Sequence, residues 1–247
     1  MTEPKLAIVT GGTRGIGLTL SARLVRLGYR VIAIYHEGVE AARAAEDSSG
    51  GALIARQVDV SDAKAIQILA DELVSEFGAP NVLINNAGIN IDRPFFDLSV
   101  EDWDRVLAVN LSGPFYLTRA FAPAMLNAGR GCVINIGATT GIRPRLNGAN
   151  YCASKAGLLH LTKCMALELA PVIRVNCLIP GMTDTEELRA RFRLNESDKL
   201  AEVLAQIPSG RIGTTDDIAA ALEFLVGDHS AYVTGQKLIV DGGQFMW

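Results

Sequence analysis

The sequence has few cysteines, and none of them are paired in a recognisable motif. The 247 residues include no Cys-x-x-Cys, and the four cysteines lie far apart, at Cys132, Cys152, Cys164 and Cys177. This spacing excludes the common zinc and dithiol motifs. The three histidines are equally scattered, so we predict no metal site. Four reduced thiols are typical of a cytoplasmic protein.

Long hydrophobic runs and an excess of positive charge are also missing. No apolar stretch approaches the roughly 18 residues that span a bilayer, and the four-residue apolar run after Lys5 is too short for a secretory signal. The net charge is −4, from 23 basic and 27 acidic residues. Nucleic-acid binders usually carry a basic surface instead. We therefore expect a cytoplasmic location, with no membrane or nucleic-acid partner.

Apolar segments of strand length alternate with segments of helical length. The predicted strands are Lys5–Thr10, Arg30–Tyr35, Ala52–Val58, Asn81–Asn85, Gly131–Gly137, Ile173–Leu178 and Lys237–Val240. The predicted helices are Ile16–Leu27, Gly38–Ser48, Asp62–Phe77, Val100–Met125 (two helices meeting near Asn110), Asn150–Leu169 and Thr215–Leu225. This alternation predicts an α/β Rossmann fold, a doubly wound parallel sheet with helices on both faces. We expect one domain over residues 1–247.

The segment 182–210 is the one long stretch without a predicted strand. A polar helical sequence, Thr185–Arg191, lies within it. We predict a lid over the site, because the segment follows a strand whose carboxyl end faces the ligand edge of such a sheet. The alternative is a surface helix with no role in the site.

A glycine-rich turn follows the first strand and precedes the first helix. It reads T-G-x-x-x-G-x-G over Thr10–Gly17. Glycines permit a tight turn and a close approach of backbone to a pyrophosphate, and the following helix start offers unpaired N–H groups to its charge. The strand before it and the helix after it are the context that a dinucleotide site requires.

Tyr151 and Lys155 are the most informative pair in the chain. Their spacing of four residues puts both side chains on one face of a predicted helix. A free tyrosine has a pKa of about 10 and holds its proton at neutral pH, whereas a neighbouring cation favours the phenolate. The pair therefore indicates proton exchange with a substrate oxygen. The alternative is a tyrosine packed beside a solvated lysine.

These motifs occur together with others in a definite order. Between Lys5 and Gly243 the chain also carries Asn85-Asn86-Ala87-Gly88, Asn110, Pro180-Gly181 and Val240-Asp241-Gly242-Gly243. With them, the chain resembles the short-chain dehydrogenase/reductase family, and most closely its 3-oxoacyl-(acyl-carrier-protein) reductases. The resemblance implies cofactor contacts at Gly11, Thr13, Arg14, Gly15, Ile16, Gly17, Tyr35, His36, Asp59, Val60, Asn86, Ala87, Gly88, Tyr151, Lys155, Pro180, Gly181 and Thr183.

The end of the second predicted strand bears on the choice between NADP and NAD. An acid at this place accepts hydrogen bonds from a ribose hydroxyl and repels a 2′-phosphate. Tyr35 and His36 stand there, and Arg14 is available to pair with a phosphate. We therefore favour NADP, with Glu37 reaching the ribose hydroxyls as the alternative. Asp59 is expected at the adenine amino group, or else at the start of a turn, and Val60 beside the ring or in the core.

The resemblance also implies the catalytic roles. Tyr151 is expected to protonate the substrate carbonyl oxygen as hydride arrives from the nicotinamide. Lys155 is expected to bind the nicotinamide ribose and to lower the tyrosine pKa. Asn110 is expected to hold a water of a proton relay, or alternatively to cap a helix. The implied enzyme is an NADP(H)-dependent reductase of a ketone or a 3-oxoacyl substrate.

One position departs from the family. Thirteen residues before Tyr151 the family has a serine that hydrogen-bonds the carbonyl, and this chain has Ala138. Four explanations are open: a deliberate serine-to-alanine substitution that inactivates the enzyme, a hydroxyl supplied by Thr139 or Thr140, a substrate that polarises its own carbonyl, or a protein that binds cofactor with little turnover. The last would make the chain an NADP-binding sensor or scaffold.

The expected substrate pocket and partners follow from the same resemblance. The pocket residues are Ala138, Thr140, Asn147 and Met182, together with Gly181. Arg143 and Arg145 either attract an anionic substrate group or are solvated, and Arg130 is a candidate for a carrier-protein surface. We expect a small carbonyl substrate, free or carrier-bound. A homotetramer is implied, assembled through the helix that bears Tyr151 and the C-terminal strand.

Overall fold

Seven parallel strands form one sheet in the computed structural model of the protein, which describes residues 5–246. Their spatial order is β3-β2-β1-β4-β5-β6-β7, so the direction of winding reverses between β1 and β4. The predicted doubly wound fold is confirmed. The strands are β1 Lys5–Thr10, β2 Tyr29–Tyr35, β3 Leu53–Gln57, β4 Val82–Asn85, β5 Gly131–Ile136, β6 Ile173–Pro180 and β7 Lys237–Val240.

Helices cover both faces of this sheet. Alternate residues of β1 point to opposite sides, with Leu6 and Ile8 in one core and Ala7 and Val9 in the other. Buried residues of α3, α5 and α6 fill the first core, and those of α1, α2 and α9 fill the second. The helices are α1 Gly15–Arg26, α2 Val39–Ser48, α3 Ala63–Phe77, α4 Val100–Leu107, α5 Gly113–Asn127, α6 Ala149–Leu169, α7 Glu186–Phe192, α8 Ser197–Leu204 and α9 Thr215–Val226.

The junction near Asn110 differs from the prediction of two helices that meet there. A π-helical turn, Ala108–Ser112, joins α4 to α5 without a break. Pro114 has no N–H to donate to the Asn110 carbonyl four residues earlier, so the regular α-helical pattern cannot continue through this point. The wider turn adds one residue to the helix at the position where Asn110 faces the site.

The segment 182–210 contains two short helices rather than one helical stretch. The Thr185 hydroxyl accepts a hydrogen bond from the Leu188 N–H at 3.2 Å and caps α7, and α8 follows. Leu194 and Ile207 are buried and anchor the segment to the rest of the molecule. Its role as a moving lid remains a prediction. Positions 1–4 and 247 of the predicted domain lie outside the described residues.

Candidate active site

The glycine turn lies at the carboxyl end of β1, beside the reversal of winding. Gly11 and Gly15 have φ angles of +61° and +53°, which side-chain-bearing residues rarely adopt. A Cβ on Gly17 would overlap the Gly11 carbonyl oxygen. The turn therefore needs glycine at these places. It exposes the start of α1 and the side chain of Arg14 at the edge where ligands bind in such folds.

Asn86 holds this turn against the end of β4. Its side-chain amide donates a hydrogen bond to the Thr10 carbonyl at 2.9 Å, and the Thr10 hydroxyl accepts hydrogen bonds from the Asn86 and Ala87 N–H groups, both at 2.9 Å. Thr10 is a site residue that the sequence analysis does not predict, although it begins the glycine motif. Of the predicted residues in this region, Thr13 is buried behind the turn.

The ends of β2 and β3 bring His36 close to Asp59. The His36 Nε2 lies 3.7 Å from the Asp59 carboxylate, which also accepts a 2.9 Å hydrogen bond from Arg105. Asp59 begins a turn as well, since it accepts a hydrogen bond from the Ser61 N–H. Burial raises the pKa of Asp59, but the bonds from Ser61 and Arg105 outweigh it, and the net pKa lies below its ordinary value. Arg105 was not predicted.

Tyr35 and Val60 lie next to His36 and Asp59, at the ends of β2 and β3. Tyr35, the last residue of β2, is half-buried. Val60 is 6% exposed and packs against Gly113 in the core. Of the two alternatives for Val60, the structure supports the core position. Its neighbour Asp59 lies at the edge of the pocket.

Tyr151 and Lys155 lie near the start of α6, as the spacing predicts. Lys155 is 4% exposed, and its ammonium donates a 2.9 Å hydrogen bond to the Ile136 carbonyl at the end of β5. The same ammonium lies 5.7 Å from the centroid of the Tyr151 ring. Burial lowers the pKa of Lys155 to about 8.

The expected effect of Lys155 on the tyrosine is not what the structure shows. Burial raises the pKa of Tyr151 to about 12. The cations that oppose this rise are Arg191 and Arg145, whereas Glu187 adds to it. The larger electrostatic effects on this pKa come from the two arginines, although the Lys155 ammonium also lies near the ring. The phenol therefore holds its proton at neutral pH.

Asn110 joins the π-helical turn to the loop after β4. Its side chain accepts a 2.8 Å hydrogen bond from the Ile89 N–H and donates to the Ile89 carbonyl at 2.9 Å and the Ser154 hydroxyl at 3.1 Å. It caps no helix, so that alternative is excluded. Gly88 lies between Asn110 and Lys155: a Cβ there would be 3.3 Å from the Asn110 Oδ1 and 3.6 Å from the Lys155 Nζ. Glycine at this position therefore lets the backbone approach both side chains closely.

Ala138 lies in extended backbone immediately after β5 and leads into a 3-10 turn, Thr139–Gly141. It carries no donor, so any hydroxyl must come from a neighbour. The Thr140 hydroxyl is buried and makes no hydrogen bond within the described structure. Such groups are rare in folded proteins and call for an explanation.

The loops after β6 and before α6 form the remaining walls. Gly181 packs against Asp241, where a Cβ would overlap that side chain, and its N–H donates to the Val240 carbonyl at 2.9 Å. Pro180 ends β6, and the buried Thr183 hydroxyl donates to the Gly181 carbonyl at 3.2 Å. Met182 is half-buried beside them.

Asn147 and Arg145 belong to the loop before α6, but they differ in exposure. Asn147 has a left-handed φ of +59° and is exposed. Arg145 is held by Asp92, whose carboxylate it contacts with both terminal nitrogens, at 2.8 and 2.6 Å. Arg191, on α7, donates to the same carboxylate. Asp92 and Arg191 were not predicted, because no local pattern marks them.

The described residues, 5–246, contain neither a cluster of metal-binding side chains nor a helix that is both long and apolar enough to span a bilayer. The site therefore consists of a phenol, an ammonium, an amide and a glycine turn at the carboxyl edge of the sheet. The residues present fit a dinucleotide, because the glycine turn brings the backbone close to the start of α1, where N–H groups can meet a pyrophosphate.

Known proteins match this chain over nearly its whole length. The family model described as enoyl-(acyl carrier protein) reductase matches residues 11–244. A solved structure of a short-chain dehydrogenase from Bacillus anthracis is 31% identical, covers 97% of this chain and 96% of its own, and superposes with a TM-score of 0.87. The chain belongs to the short-chain dehydrogenase/reductase family. It is thus an oxidoreductase with a site for a nicotinamide cofactor.

Other members of the family confirm the closer resemblance. The 3-oxoacyl-(acyl-carrier-protein) reductase of Escherichia coli is 37% identical over 99% of this chain and 98% of its own length. The protein of that name from Staphylococcus aureus is 38% identical, with 100% of both chains covered. A gluconate 5-dehydrogenase from Burkholderia cenocepacia, solved with NADP and tartrate, is 32% identical and covers 98% of this chain and 96% of its own, with a TM-score of 0.91.

Proposed function

We propose that the protein is an NADPH-dependent reductase of a ketone or a 3-oxoacyl group, with Tyr151 as the proton donor. The observation that carries the proposal is the convergence of Tyr151, Lys155 and Asn110 beside the glycine turn. A bound nicotinamide supplies the hydride in this chemistry. With a pKa of about 12, Tyr151 enters the reaction protonated and donates to the carbonyl oxygen. Arg191 and Arg145 favour the phenolate that remains.

Lys155 and Asn110 position the reactants in this proposal. The Lys155 ammonium lies next to Gly88, where a nicotinamide ribose can accept hydrogen bonds from it. Asn110 holds the Ile89 backbone and the Ser154 hydroxyl, and so keeps the floor of the pocket in place. The other cofactor contacts implied by the resemblance belong to the same proposal.

The preference for NADPH rests on the end of β2. Tyr35 and His36 occupy the place where an acid would accept hydrogen bonds from a ribose hydroxyl. Two carboxylates lie near His36: Asp59 is engaged by Arg105, and Glu37, at 3.8 Å from the His36 Nδ1, is the alternative partner of the ribose hydroxyls. Arg14 is exposed at the turn and free to meet a 2′-phosphate. The NADP bound to the Burkholderia relative supports the same choice.

The substrate is a small carbonyl compound, either free or attached to a carrier. The relatives named as acyl-carrier-protein reductases support the second form, and Arg130 is the residue proposed for a carrier surface. We also propose a homotetramer, as the resemblance implies.

Tyr151→Phe tests the proposed reaction. We expect kcat for reduction of an acetoacetyl thioester to fall by at least about 10²-fold, because the proton donor is lost. The dissociation constant for NADPH, measured by fluorescence, should change less than twofold and should be lower than that for NADH. Tyr232→Phe, at a fully exposed tyrosine, is the matched control and should leave kcat unchanged. NADPH binding without oxidation by any ketone would favour a sensor instead.

A further inference from the structure

Asp92 accepts hydrogen bonds from two arginines at the mouth of the site. Arg145 contacts it with both terminal nitrogens, and Arg191 contacts the oxygen that already accepts a 2.8 Å bond from Arg145. The two arginines belong to different segments, the loop before α6 and the helix α7. Their side chains are 26% and 30% exposed, so the cluster is open to solvent and to ligands.

The donors of the two guanidinium groups are occupied to different extents. Both terminal nitrogens of Arg145 are engaged, since one of them also donates to the Asn90 side chain at 2.6 Å. Arg145 is therefore a bidentate partner of the Asp92 carboxylate. Arg191 makes one hydrogen bond, through one nitrogen, and its ring contact with Phe192 is 5.6 Å. Arg191 thus brings further donors and a charge that Asp92 alone does not neutralise.

The cluster lies directly beside the proton donor. The Arg145 guanidinium carbon is 5.6 Å from the centroid of the Tyr151 ring. Arg191 and Arg145 both act on the phenol electrostatically. Glu187 is the nearest opposing acid on α7, and it is exposed, so solvent screens its charge. An anionic group that reaches Arg191 therefore lies only a short distance from a carbonyl at Tyr151.

We propose that Arg191 binds a carboxylate of the substrate, with Arg145 and Asp92 positioning it, and that the substrate is a small free oxo acid. The proposal rests on the reductase function and names its substrate class. A guanidinium matches a carboxylate with two parallel hydrogen bonds, which a neutral ester cannot form with the same strength. Arg191 lies on α7, so binding of the acid also fixes this helix over the site.

The test compares oxo acids with their methyl esters. The rates of reduction of acetoacetate, levulinate and their methyl esters are measured with the wild type and with Arg191→Gln. We expect kcat/KM for the acids to fall by about tenfold to a hundredfold in the variant, and that for the esters to change less than twofold. Arg191→Lys should recover part of the loss. Arg193→Gln, at an exposed arginine in the same segment, is the control and should change neither.

The contrary outcomes are distinct. Equal losses for acid and ester would show that Arg191 acts only on the position of α7, and unchanged values would show that it meets no substrate anion. Acetoacetyl coenzyme A is assayed alongside them, and a loss confined to this thioester would assign the anion to the phosphates of a carrier arm. Each of these results overturns the proposal.

A binding measurement separates the inference from the reductase function. The wild type and Arg191→Gln, both loaded with NADP+, are titrated calorimetrically with succinate and with dimethyl succinate. Succinate binding that is weakened at least tenfold by the substitution supports the carboxylate site even if no ketone is reduced. Equal binding of succinate and its diester to the wild type overturns the inference whatever the turnover.

Discussion

Ala138 stands where the family resemblance implies a serine that hydrogen-bonds the substrate carbonyl. Its methyl group follows β5 beside the site, and the next hydroxyls are those of Thr139 and Thr140. Only the Thr140 hydroxyl is both buried and without a hydrogen bond in the described structure. Leaving a buried hydroxyl unpaired costs about 1–3 kcal/mol, which a hydrogen bond to a substrate oxygen would recover. This favours Thr140 as the replacement donor.

The Thr140 role predicts the effects of three substitutions on kcat. Thr140→Val should lower kcat at least tenfold, because it removes the donor to the carbonyl oxygen while preserving shape. Thr139→Val is the matched control and should change kcat less than twofold. Ala138→Ser should change it less than tenfold. A rise of a hundredfold or more in Ala138→Ser would show instead that the alanine leaves an empty donor position.

Lys155 contributes a pH dependence to stability, with a sign set by its burial. Its pKa falls from 10.5 to about 8 in the folded protein, so between these values the unfolded chain binds more protons than the folded one. Stability therefore rises with pH in this window. Burial raises the pKa of Cys177 to about 12 and that of Cys132 to about 11, which acts in the opposite direction at higher pH.

A comparison with Lys155→Met isolates this contribution, since the other groups are common to both proteins. Between pH 8 and pH 9 the free energy of unfolding of the wild type should rise by about 1 kcal/mol relative to that of the variant. Urea unfolding followed by circular dichroism measures it. A difference that stays constant, or shrinks, across this interval would mean that the lysine is not desolvated as described.

At the scale of elements, the π-helical turn between α4 and α5 has a structural consequence. It directs the Asn110 side chain at the Ile89 backbone, where one amide satisfies both an N–H and a carbonyl. Asn110 is fully buried, so no solvent replaces these bonds when they are lost. The turn thus joins the helix to the loop that forms the pocket floor.

Asn110→Ala should destabilise the protein by about 1–3 kcal/mol, because it leaves the partly buried Ile89 N–H and carbonyl without these partners. Asn127→Ala, at the exposed end of α5, is the control and should cost less than about 1 kcal/mol. Chemical denaturation of both variants gives the comparison. A cost for Asn110→Ala no larger than that of the control would show that the loop readily finds other partners.

At the scale of the whole molecule, α6 presents an uncovered stripe opposite its buried face. Apart from one histidine, its exposed residues at helical spacing are small or apolar, and Leu167 is 82% exposed. The stripe comprises Ala153, Ala156, His160, Cys164 and Leu167. This is the helix through which a homotetramer is expected.

Leu167→Glu should therefore reduce the tetramer to smaller species, because a charge would be buried between subunits. Sedimentation velocity of the wild type and variant measures the change. Ile68→Glu, on α3 and 60% exposed, is the control and should leave the assembly intact. A monomeric wild type, or a Leu167→Glu protein of unchanged size, would contradict the assembly.

The strands, the glycine turn and the pair Tyr151 and Lys155 could be predicted because local rules decide them. A buried parallel strand requires an apolar run, and a shared helix face requires four-residue spacing. The π-helical turn was missed, although Pro114 marks it. Arg105, Asp92 and Arg191 were missed because their roles depend on contacts that span 46 to 99 residues of the sequence.

The amino-acid sequence by itself determined the sheet, the glycine turn and the pairing of Tyr151 with Lys155 on one helix face, since each depends on residues that are neighbours along the chain. Only the tertiary structure decided the pKa values of Tyr151 and Lys155. Burial raises the pKa of Tyr151 and lowers that of Lys155, and Asp92 holds two arginines that are distant in sequence beside the phenol. Desolvation and long-range charge pairing are properties of packed side chains, so no local pattern encodes them.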